Sequence, residues 1–478
     1  MIAVLAHTHP SITSGGAEIS AYTLYLGLLE RGVAACFVAM VPESAIDRVR
    51  LDTPGEHVLG YEPGDYEAFY HLADPSVPPA VESLLARLGA DTVVFHHFLN
   101  FGVNTVRAVA RRRPGRVLLV LHEFLAICNH HGQMVTRPAL RLCAASSPGA
   151  CGTCFQERDA VQFDARREHF LDAFAQLAGF VSPSEFLKER FVAWGLPAAS
   201  IAVIENGVPR LPPPEEPRRA PLAPAAAGDE DEVPGIDADD VAVTIGFFGQ
   251  INPFKGVDLL LDAADLIGRR KKLSARVRLR VHGHVVGVSD AFAQRFHDAV
   301  AEHPFLDYLG PYQNERVFEL MRACDFVLMA SKWWENSPVV IQEAYACGRP
   351  LLVPGIGGMK EKIIDGVTGL HFQAADASDL ARVIERAATP GLAQRLRRHL
   401  PAVGTGLAMA GAYLAWLAQC AQSPTAHSPA GDAILPRLMP RLRIVEAEPA
   451  PSDDRDPHPS APPSHAAPPV TAPPGAHP

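Results

Sequence analysis

Two glutamates in the second half of the chain are placed to bind hydroxyl groups. Glu335 lies on a loop after an apolar run, and Glu343 lies inside the helix that follows, with seven residues between them. A carboxylate can accept hydrogen bonds from two hydroxyls at once. The pair therefore predicts a site for a ribose diol or for sugar hydroxyls.

The start of the helix between these glutamates favours an anion. Ser337 is a good N-cap, Pro338 suits the first helical position, and Gly348 suits the residue after the last turn. The N–H groups from Val339 onward have no partner inside the helix, so they can hold a diphosphate. The donor-binding residues predicted here are Asn336, Ser337, Pro338 and Val339.

A second candidate for anion binding is Lys255, on the turn after a buried strand that ends at Gly249. Ligands of parallel α/β sheets bind at the carboxyl ends of strands, and a lysine there can neutralise a phosphate. We therefore expect Lys255 to lie at a phosphate site.

The first half of the chain carries a glycine-rich turn and a histidine-bearing turn. Gly15 and Gly16 follow the first predicted strand and open a helix, so their N–H groups can approach a phosphate. The turn is not GxGxxG, which argues against a nicotinamide cofactor. His97 lies at the carboxyl end of a later strand, where it can contact a substrate. His122, at the end of the next strand, is the alternative.

Short apolar runs that alternate with helical patterns predict α/β architecture with parallel sheets. The predicted strands of the first half are 2–6, 35–39, 92–95, 117–121, 180–182 and 201–204, and those of the second half are 241–248, 277–281, 326–329 and 351–353. The predicted domains are 1–208 and 241–395, joined by a proline-rich and acidic linker or exposed insertion at 209–240. A terminal helix at 396–422 and a disordered Pro/Ala-rich tail at 423–478 complete the chain.

Length and charge limit the class of protein. The 478 residues are 48% hydrophobic and 20% charged, which is typical of a globular protein of two domains. The net charge of −10 argues against a nucleic-acid partner. Basic clusters at 111–116 and 269–272 are typical of solvated helix ends, or of a peripheral contact with an anionic membrane.

The ends of the chain indicate where the protein resides. The N-terminus lacks the basic start and cleavage site of a signal peptide, which favours the cytoplasm, including the inner face of the membrane. Residues 401–421 carry no charge, and we interpret them as a packed terminal helix rather than a membrane span.

Four cysteines cluster in an insertion at about 126–160 of the first domain. They are Cys128, Cys143, Cys151 and Cys154. A C-x-x-C pair forms half of many tetrahedral zinc sites, and two further cysteines complete four thiolates. The pattern predicts one structural zinc. Unliganded cysteines, or disulfides in an oxidising compartment, are the alternatives, and His130 or His131 could replace one cysteine as a ligand.

Several ordered segments together resemble glycosyltransferase family four. They are the glutamate pair and the stretches GFFGQINPFKG, VHGH, YLGPY, ACDFVLMAS and IIDGVTGLHF. The resemblance is strong over 241–395 and looser over 1–208. It implies a retaining enzyme with the GT-B fold, in which two Rossmann-like parallel-sheet domains face a central cleft.

The resemblance also implies roles for individual residues. Glu335 would lie beside the transferred sugar, Glu343 would hold the donor ribose, and Lys255 would bind phosphate. Gly15 and Gly16 would face the donor diphosphate across the cleft, and His97 best fits the family's functional histidine. Gln250 stands where the family has an arginine, so it supplies no charge.

These observations predict a hexosyltransferase (EC 2.4 type) that uses a nucleotide diphosphate sugar and no catalytic cofactor. The acceptor would be a glycan, a lipid-linked glycan or a small-molecule natural product. The Asp-x-Asp at 229–231 lies in the linker, so no metal motif occupies a suitable loop. A catalytically silent GT-B protein that binds a sugar nucleotide or scaffolds partner enzymes is the alternative. A Rossmann oxidoreductase would need the missing GxGxxG.

Overall fold

The computed structural model describes residues 1–13, 15–212, 242–422 and 443–447. These residues belong to one structural unit, Met1–Ala447. The predicted linker at 209–240 therefore lies outside the described residues from 213 onward, and most of the predicted tail lies outside them too.

The first half is an α/β layer structure built on a parallel sheet. Its strands in chain order are β1 (Ile2–Ala6), β2 (Ala35–Pro42), β3 (Glu56–Tyr61), β4 (Thr92–Phe95), β5 (Val117–Val120), β6 (Gly179–Ser182) and β7 (Ile201–Val203). Its helices are α1 (Gly16–Glu30), α2 (Val77–Leu88), α3 (Val103–Arg112), α4 (Pro148–Cys154), α5 (Ala160–Phe174) and α6 (Glu185–Trp194). Short 3₁₀ turns span Glu43–Arg48, Pro63–Asp65 and Ala198–Ser200.

The second half repeats this plan with a six-stranded parallel sheet. Its strands are β8 (Val243–Phe248), β9 (Val277–His282), β10 (Leu306–Gly310), β11 (Phe326–Leu328), β12 (Leu351–Pro354) and β13 (Gly369–Phe372). Its helices are α7 (Val257–Gly268), α8 (Lys271–Ser274), α9 (Asp290–Glu302), α10 (Val317–Arg322), α11 (Val339–Ala346), α12 (Gly357–Lys362), α13 (Ala377–Ala387) and α14 (Leu392–Arg397), with a 3₁₀ turn at Asn314–Arg316.

The strand orders explain why the apolar runs are continuous. The first sheet runs β3-β2-β1-β4-β5-β6-β7 and the second runs β10-β9-β8-β11-β12-β13. The central strands carry helices on both faces, so both faces are buried; β1, for example, is buried at every residue. Sequence reasoning found the central strands and missed β3, β10 and β13, where polar residues interrupt the apolar pattern.

The predicted terminal helix at 396–422 is two helices separated by a loop. The first, α14, ends at Arg397, and the second, α15, spans Gly406–Gln422. Helix α15 packs against α1 and buries Met409, Ala410 and Tyr413 in the core of the first half. Gly27 and Gly406 meet so closely that a Cβ on Gly27 would lie 2.1 Å from the carbonyl oxygen of Gly406. The chain therefore returns to its first half after completing the second. No helix of the described residues is long and apolar enough to cross a membrane.

The prediction of a structureless tail at 423–478 is wrong for residues 443–447. A short strand, β14 (Ile444–Glu446), pairs antiparallel with β3 at the edge of the first sheet. The Gly60 N–H donates to the carbonyl oxygen of Arg443 at 2.8 Å, and the Glu446 carboxylate lies 2.6 Å from the Arg87 guanidinium. The two adjacent β-branched residues Ile444 and Val445 within a proline-rich region are the signal that was missed.

We predict that the chain needs this edge strand but not the residues beyond it. Ending the chain at residue 442 removes β14, exposes the hydrogen-bonding edge of β3 and breaks the Arg87 ion pair. The melting temperature of the first half should fall by about 2–4 °C, the change expected for a loss of roughly 1 kcal/mol in a domain of about 200 residues. A chain that ends at Ala447 is the matched control and should melt within about 1 °C of the full chain. Equal melting of all three chains would contradict a stabilising role for β14.

Candidate active site

The site lies where the carboxyl ends of the two sheets meet. In each sheet the strand order reverses beside the central strand, between β1 and β4 in the first half and between β8 and β11 in the second. Parallel sheets bind ligands at such switch points. Loops from both reversals line one cavity of about 840 Å³.

An ion pair between Lys255 and Glu335 forms the floor of this cavity. The Lys255 ammonium lies 2.6 Å from Glu335 Oε1, and the Ser331 hydroxyl (2.8 Å) and the Trp333 indole N–H (3.0 Å) donate to the same oxygen. Burial opposes ionisation of Glu335, but the charge of Lys255 and these hydrogen bonds outweigh it and lower the pKa of the carboxyl. Glu335 is therefore an anion, and it holds Lys255 in the cavity.

Two glycines allow the loops that carry this pair to approach each other. Gly256 has a φ of +74°, and a Cβ there would lie 1.8 Å from the carbonyl oxygen of Ala330. A Cβ on Gly358 would lie 1.9 Å from the carbonyl oxygen of Asn336. The Gly358 N–H also donates to the carbonyl oxygen of Glu335 at 2.7 Å. The glycine-rich turn after β12 thus positions the backbone of the loop at residues 335–336.

The start of α11 faces the glycine-rich turn of the first half. The helix begins at Val339 with Pro338 as its N-cap residue, so the prediction that Ser337 is the N-cap and Pro338 the first helical residue is wrong by one position. A Cβ on Gly16 would lie 3.9 Å from Val339 Cγ2. Gly16, Ser337, Pro338 and Val339 all line the cavity, and Gly15 is the N-cap of α1. Ser14 of this turn lies outside the described residues.

Residues just before α11 tie the two halves together. The Asn336 amide donates to the carbonyl oxygen of His122 at 3.0 Å. The Ser337 hydroxyl donates to Glu205, whose carboxylate also pairs with the buried ammonium of Lys362. Ser337 therefore serves as a contact between the halves, a role that its sequence position did not reveal.

Glu343 lies deeper than the cavity wall. It is on α11 and 7% exposed, and it is not among the residues that line the cavity. Burial raises its pKa to about 7, which is the opposite of the shift at Glu335. Gln250 is exposed at the cavity, and its Oε1 accepts a hydrogen bond from the Asn252 amide at 3.3 Å. The structure therefore brings Lys255, Glu335 and Gln250 together at the cavity surface and leaves Glu343 behind it.

On the opposite wall His97 is paired with a glutamate that sequence reasoning missed. His97 Nδ1 accepts the N–H of Leu99 at 2.8 Å, so Nε2 carries the proton and donates to Glu123 Oε1 at 2.9 Å. Burial lowers the pKa of His97 well below its usual value, so the ring is neutral. Burial also raises the pKa of Glu123 to about 8. His122, the alternative to His97, lines the same cavity and lies 3.1 Å from His96.

Other residues of this wall also escaped prediction. Glu18 lies 3.3 Å from His7, and the Tyr66 hydroxyl lies 3.0 Å from His71 Nδ1. Glu123 directly follows His122 and Glu18 lies two residues after Gly16, but a carboxylate near a strand end is too common to predict a site. Tyr66 and His71 lie between β3 and α2, in a region where no strand was expected.

The cysteine insertion contacts the donor loop without forming the predicted metal site. Among the described residues, no group of three or more His, Cys, Asp or Glu side chains could hold a metal ion, so the structure does not support the zinc prediction. Cys128 and Cys143 pack against the main core, whereas Cys151 and Cys154 pack against a separate phenylalanine cluster. Burial raises the pKa of Cys128 to about 11 and also that of Cys151, which disfavours thiolates.

This insertion also positions the loop that carries Glu335. The Trp334 indole N–H donates to the carbonyl oxygen of Cys143 at 3.1 Å. The Arg190 guanidinium lies 5.2 Å from the Trp334 ring centroid and donates to the carbonyl oxygen of Ala144. The insertion thus holds the residue next to Glu335 in place.

Comparison with known proteins gives the family. Residues 14–210 match Glycosyltransferase Family 4, and residues 242–389 match Glycosyl transferases group 1. Together the two matches cover more than two thirds of the chain. The chain belongs to the family 4 glycosyltransferases. The resemblance inferred from the sequence motifs is thereby confirmed.

The matches between this family 4 glycosyltransferase and its curated relatives cover only part of each relative's length. D-inositol 3-phosphate glycosyltransferase from Stackebrandtia nassauensis is 34% identical over 154 residues, which cover 31% of this chain and 34% of the relative. The enzyme of the same name from Geodermatophilus obscurus is 31% identical over 150 residues, 30% of this chain and 32% of the relative. The chain thus spans about a third of the curated relatives that it matches.

Solved structures confirm that the glycosyltransferase has the GT-B fold. Anabaena HepE in complex with UDP and glucose has a TM-score of 0.56 at 16% identity and covers 88% of this chain and 100% of that one. The catalytic domain of starch synthase IV from Arabidopsis thaliana, bound to ADP and acarbose, has a TM-score of 0.58 at 15% identity and covers 88% and 99%. The predicted pair of Rossmann-like domains that face a cleft is confirmed.

We predict that Glu343→Gln changes the pH dependence of stability. The folded-state pKa of Glu343, about 7, exceeds its unfolded value, so the folded state binds more protons between about pH 4.5 and 7. The free energy of unfolding therefore falls as pH rises through this window, and a neutral glutamine removes that fall. Relative to the wild type, the variant's melting temperature should rise by several degrees between pH 5 and pH 8.

Glu315→Gln, at an exposed position, is the control and should track the wild type at every pH. A difference between Glu343→Gln and the wild type that stays constant from pH 5 to 8 would contradict a buried carboxyl at residue 343.

Proposed function

We propose that this protein transfers a hexose from a nucleotide diphosphate donor to a hydroxyl acceptor, with retention of anomeric configuration. The observation that carries the proposal is the Lys255–Glu335 pair beside the start of α11, opposite Gly16. A cation, a set of free backbone N–H groups and a carboxylate that hydrogen-bonds hydroxyls are the parts that a sugar diphosphate requires.

The proposed chemistry is electrostatic. Departure of the diphosphate leaves negative charge on the phosphate oxygens and positive character on the sugar ring. Lys255 and the N–H groups at Val339 and Val340 stabilise the leaving group, and the Glu335 carboxylate lies beside the ring. Because Glu335 is ionised and buried, it favours the positive ring and orients sugar hydroxyls. The leaving phosphate oxygen itself can take the proton of the acceptor, so no general base is assigned.

The remaining donor contacts follow from the same geometry. Gln250 is exposed beside Lys255 and can donate an amide hydrogen bond to a phosphate oxygen. Asn336, Ser337 and Pro338 shape the turn that presents the start of α11. Glu343 is buried on α11 behind the residues that line the cavity. A modest movement of its side chain toward the cavity would let it bind the ribose diol. HepE, which shares the fold, binds UDP and UDP-glucose, which supports a nucleoside diphosphate hexose as the donor class.

The setting of the reaction is also part of the proposal. We place the enzyme in the cytoplasm or at the inner face of the membrane, with a glycan, a lipid-linked glycan or a natural product as its acceptor. One arginine of the basic cluster at 111–116 is engaged within the protein, since the Arg113 guanidinium forms an ion pair with Glu82 at 2.9 Å. Arg111 and Arg112 remain exposed for a membrane contact.

We predict that Lys255→Ala lowers turnover by about 10²-fold or more, because it removes the charge that stabilises the leaving diphosphate. Release of nucleoside diphosphate from a panel of nucleotide hexoses measures turnover, and nuclear magnetic resonance of the product gives its anomeric configuration. Lys332→Ala is the matched control, since Lys332 pairs with Asp258 at 2.6 Å and lies outside the cavity lining. Unchanged turnover in Lys255→Ala would contradict this donor site. An inverted product would contradict retention.

We also predict that transfer requires no added divalent metal, because Lys255 and the helix start provide the positive potential at the diphosphate. Turnover after brief treatment with a chelator, followed by its removal, should stay within about twofold of the untreated enzyme. A dependence on added Mg²⁺ or Mn²⁺ would show that a metal shares the diphosphate site.

A further inference from the structure

The part of the cavity that the donor site does not use is a polar wall contributed by the first half. We name it the acceptor wall, and its residues are Glu18, Tyr66, His71, His97, Glu123 and Gln133. It lines the same cavity as the Lys255–Glu335 pair, which the second half contributes. A molecule held against this wall would meet the transferred sugar.

The acceptor wall lacks a fixed positive charge. None of its described residues, nor any other described residue that the first half contributes to the cavity, is a lysine or an arginine. Burial lowers the pKa of His71 to about 3 and keeps His97 neutral. His7 also lines the cavity, and its Nε2 lies 3.3 Å from Oε1 of Glu18, so the wall's own carboxyl pairs with it.

The nearest arginine is engaged elsewhere. Arg166 lies behind the wall with 3% exposure and donates to the backbone carbonyl oxygens of Phe69 at 2.7 Å and Leu125 at 2.6 Å, and also to that of Ala126. It supports the wall from inside and does not line the cavity. Lys255, across the cleft, is bound to Glu335 and assigned to the donor diphosphate.

The wall is instead built for hydroxyl groups. Glu123 lines the cavity beside His97 with a third of its side-chain surface accessible, while its Oε2 atom is buried. The carboxyl of Glu123 and the hydroxyl of Tyr66 can both donate and accept hydrogen bonds. His71 adopts a φ of +53°, a strained conformation for a residue with a side chain, and the Val103 N–H fixes its carbonyl oxygen at 2.7 Å. Strain of this kind is concentrated at functional sites.

A phosphorylated acceptor would fit this wall poorly. Proteins recognise phosphate through arginine, lysine or free backbone N–H groups, and the donor diphosphate already occupies those in this cleft. A second phosphate would lie between the donor diphosphate and the carboxylate of Glu18, where like charges repel.

We propose that the acceptor wall binds an uncharged, hydroxyl-bearing acceptor, a sugar or polyol without phosphate, and that Glu123 and Tyr66 are its acceptor-binding residues. This inference rests on the proposed transfer function. It separates the enzyme from the D-inositol 3-phosphate glycosyltransferases, whose match covers only about a third of their length.

The test compares acceptors that differ by one phosphate. The pairs are glucose and glucose 6-phosphate, glycerol and glycerol 3-phosphate, and myo-inositol and D-inositol 3-phosphate, each with a donor that the wild-type enzyme hydrolyses. The uncharged member of each active pair should be glycosylated at least about tenfold more efficiently, measured as kcat/KM for the acceptor.

Variants then test the assigned residues. Glu123→Ala should raise the acceptor KM about tenfold or more, and Tyr66→Phe severalfold, with the dissociation constant for the nucleoside diphosphate unchanged. Glu123→Gln retains a hydrogen-bonding group of the same shape and should restore the KM to within about threefold. Glu62→Gln, exposed and outside the cavity, is the matched control.

Each outcome decides between the two proposals. Preference for the phosphorylated members would overturn the inference, as would donor hydrolysis without transfer to any uncharged member. An unchanged acceptor KM in Glu123→Ala would overturn the assignment of Glu123. A wild-type enzyme that neither binds nor hydrolyses any nucleotide hexose would instead overturn the proposed function itself.

Discussion

The site is organised around one oxygen atom, Oε1 of Glu335. An ammonium, a hydroxyl and an indole N–H converge on it, and these donors come from three separate positions along the loops. A buried carboxylate is costly unless its hydrogen-bonding capacity is met. Because it is met here, Glu335 keeps its charge and fixes Lys255 in place. Gly256 and Gly358 permit this convergence, because a side chain at either position would collide with the backbone of the facing loop.

The contacts between the halves depend on the same loop. Asn336 and Ser337, the next two residues, reach the backbone of His122 and the carboxylate of Glu205 in the other half. Glu361 adds to this connection by accepting the N–H groups of Glu185 and Phe186 at the start of α6. A movement of one half relative to the other would therefore be transmitted directly to the residue beside the proposed sugar site.

Much of the donor side could be predicted because its signals are local. The spacing of Glu335 and Glu343, the helix start and the glycine-rich turns all lie within short segments of sequence. The depth of Glu343 could not be predicted, because spacing along a helix does not tell how far a neighbouring sheet covers it. The zinc pattern lacks support for a related reason, since Cys128 and Cys143 pack against the main core and the two cysteines of α4 pack against a separate phenylalanine cluster.

The opposite wall was largely hidden from sequence reasoning. Tyr66 and His71 come from the connection after β3 and Glu123 from the connection after β5, and only the order of the strands brings them together. His97 was found because it directly follows a clear strand, but its partner Glu123 was not, since pairing across neighbouring strands leaves no local trace. The edge strand at Ile444–Glu446 was missed because two adjacent apolar residues carry little weight inside a proline-rich stretch.

The return of α15 to the first half makes that half discontinuous in sequence. Its core is completed by Met409, Ala410 and Tyr413, which follow the entire second half, and its sheet is extended by β14, which comes later still. A ribosome therefore delivers the last pieces of the first half only after the second half has been made. During synthesis the surface of α1 that α15 covers stays exposed while more than half of the chain is made. The segment that contains α15 therefore completes the first half and concludes the assembly of the two halves.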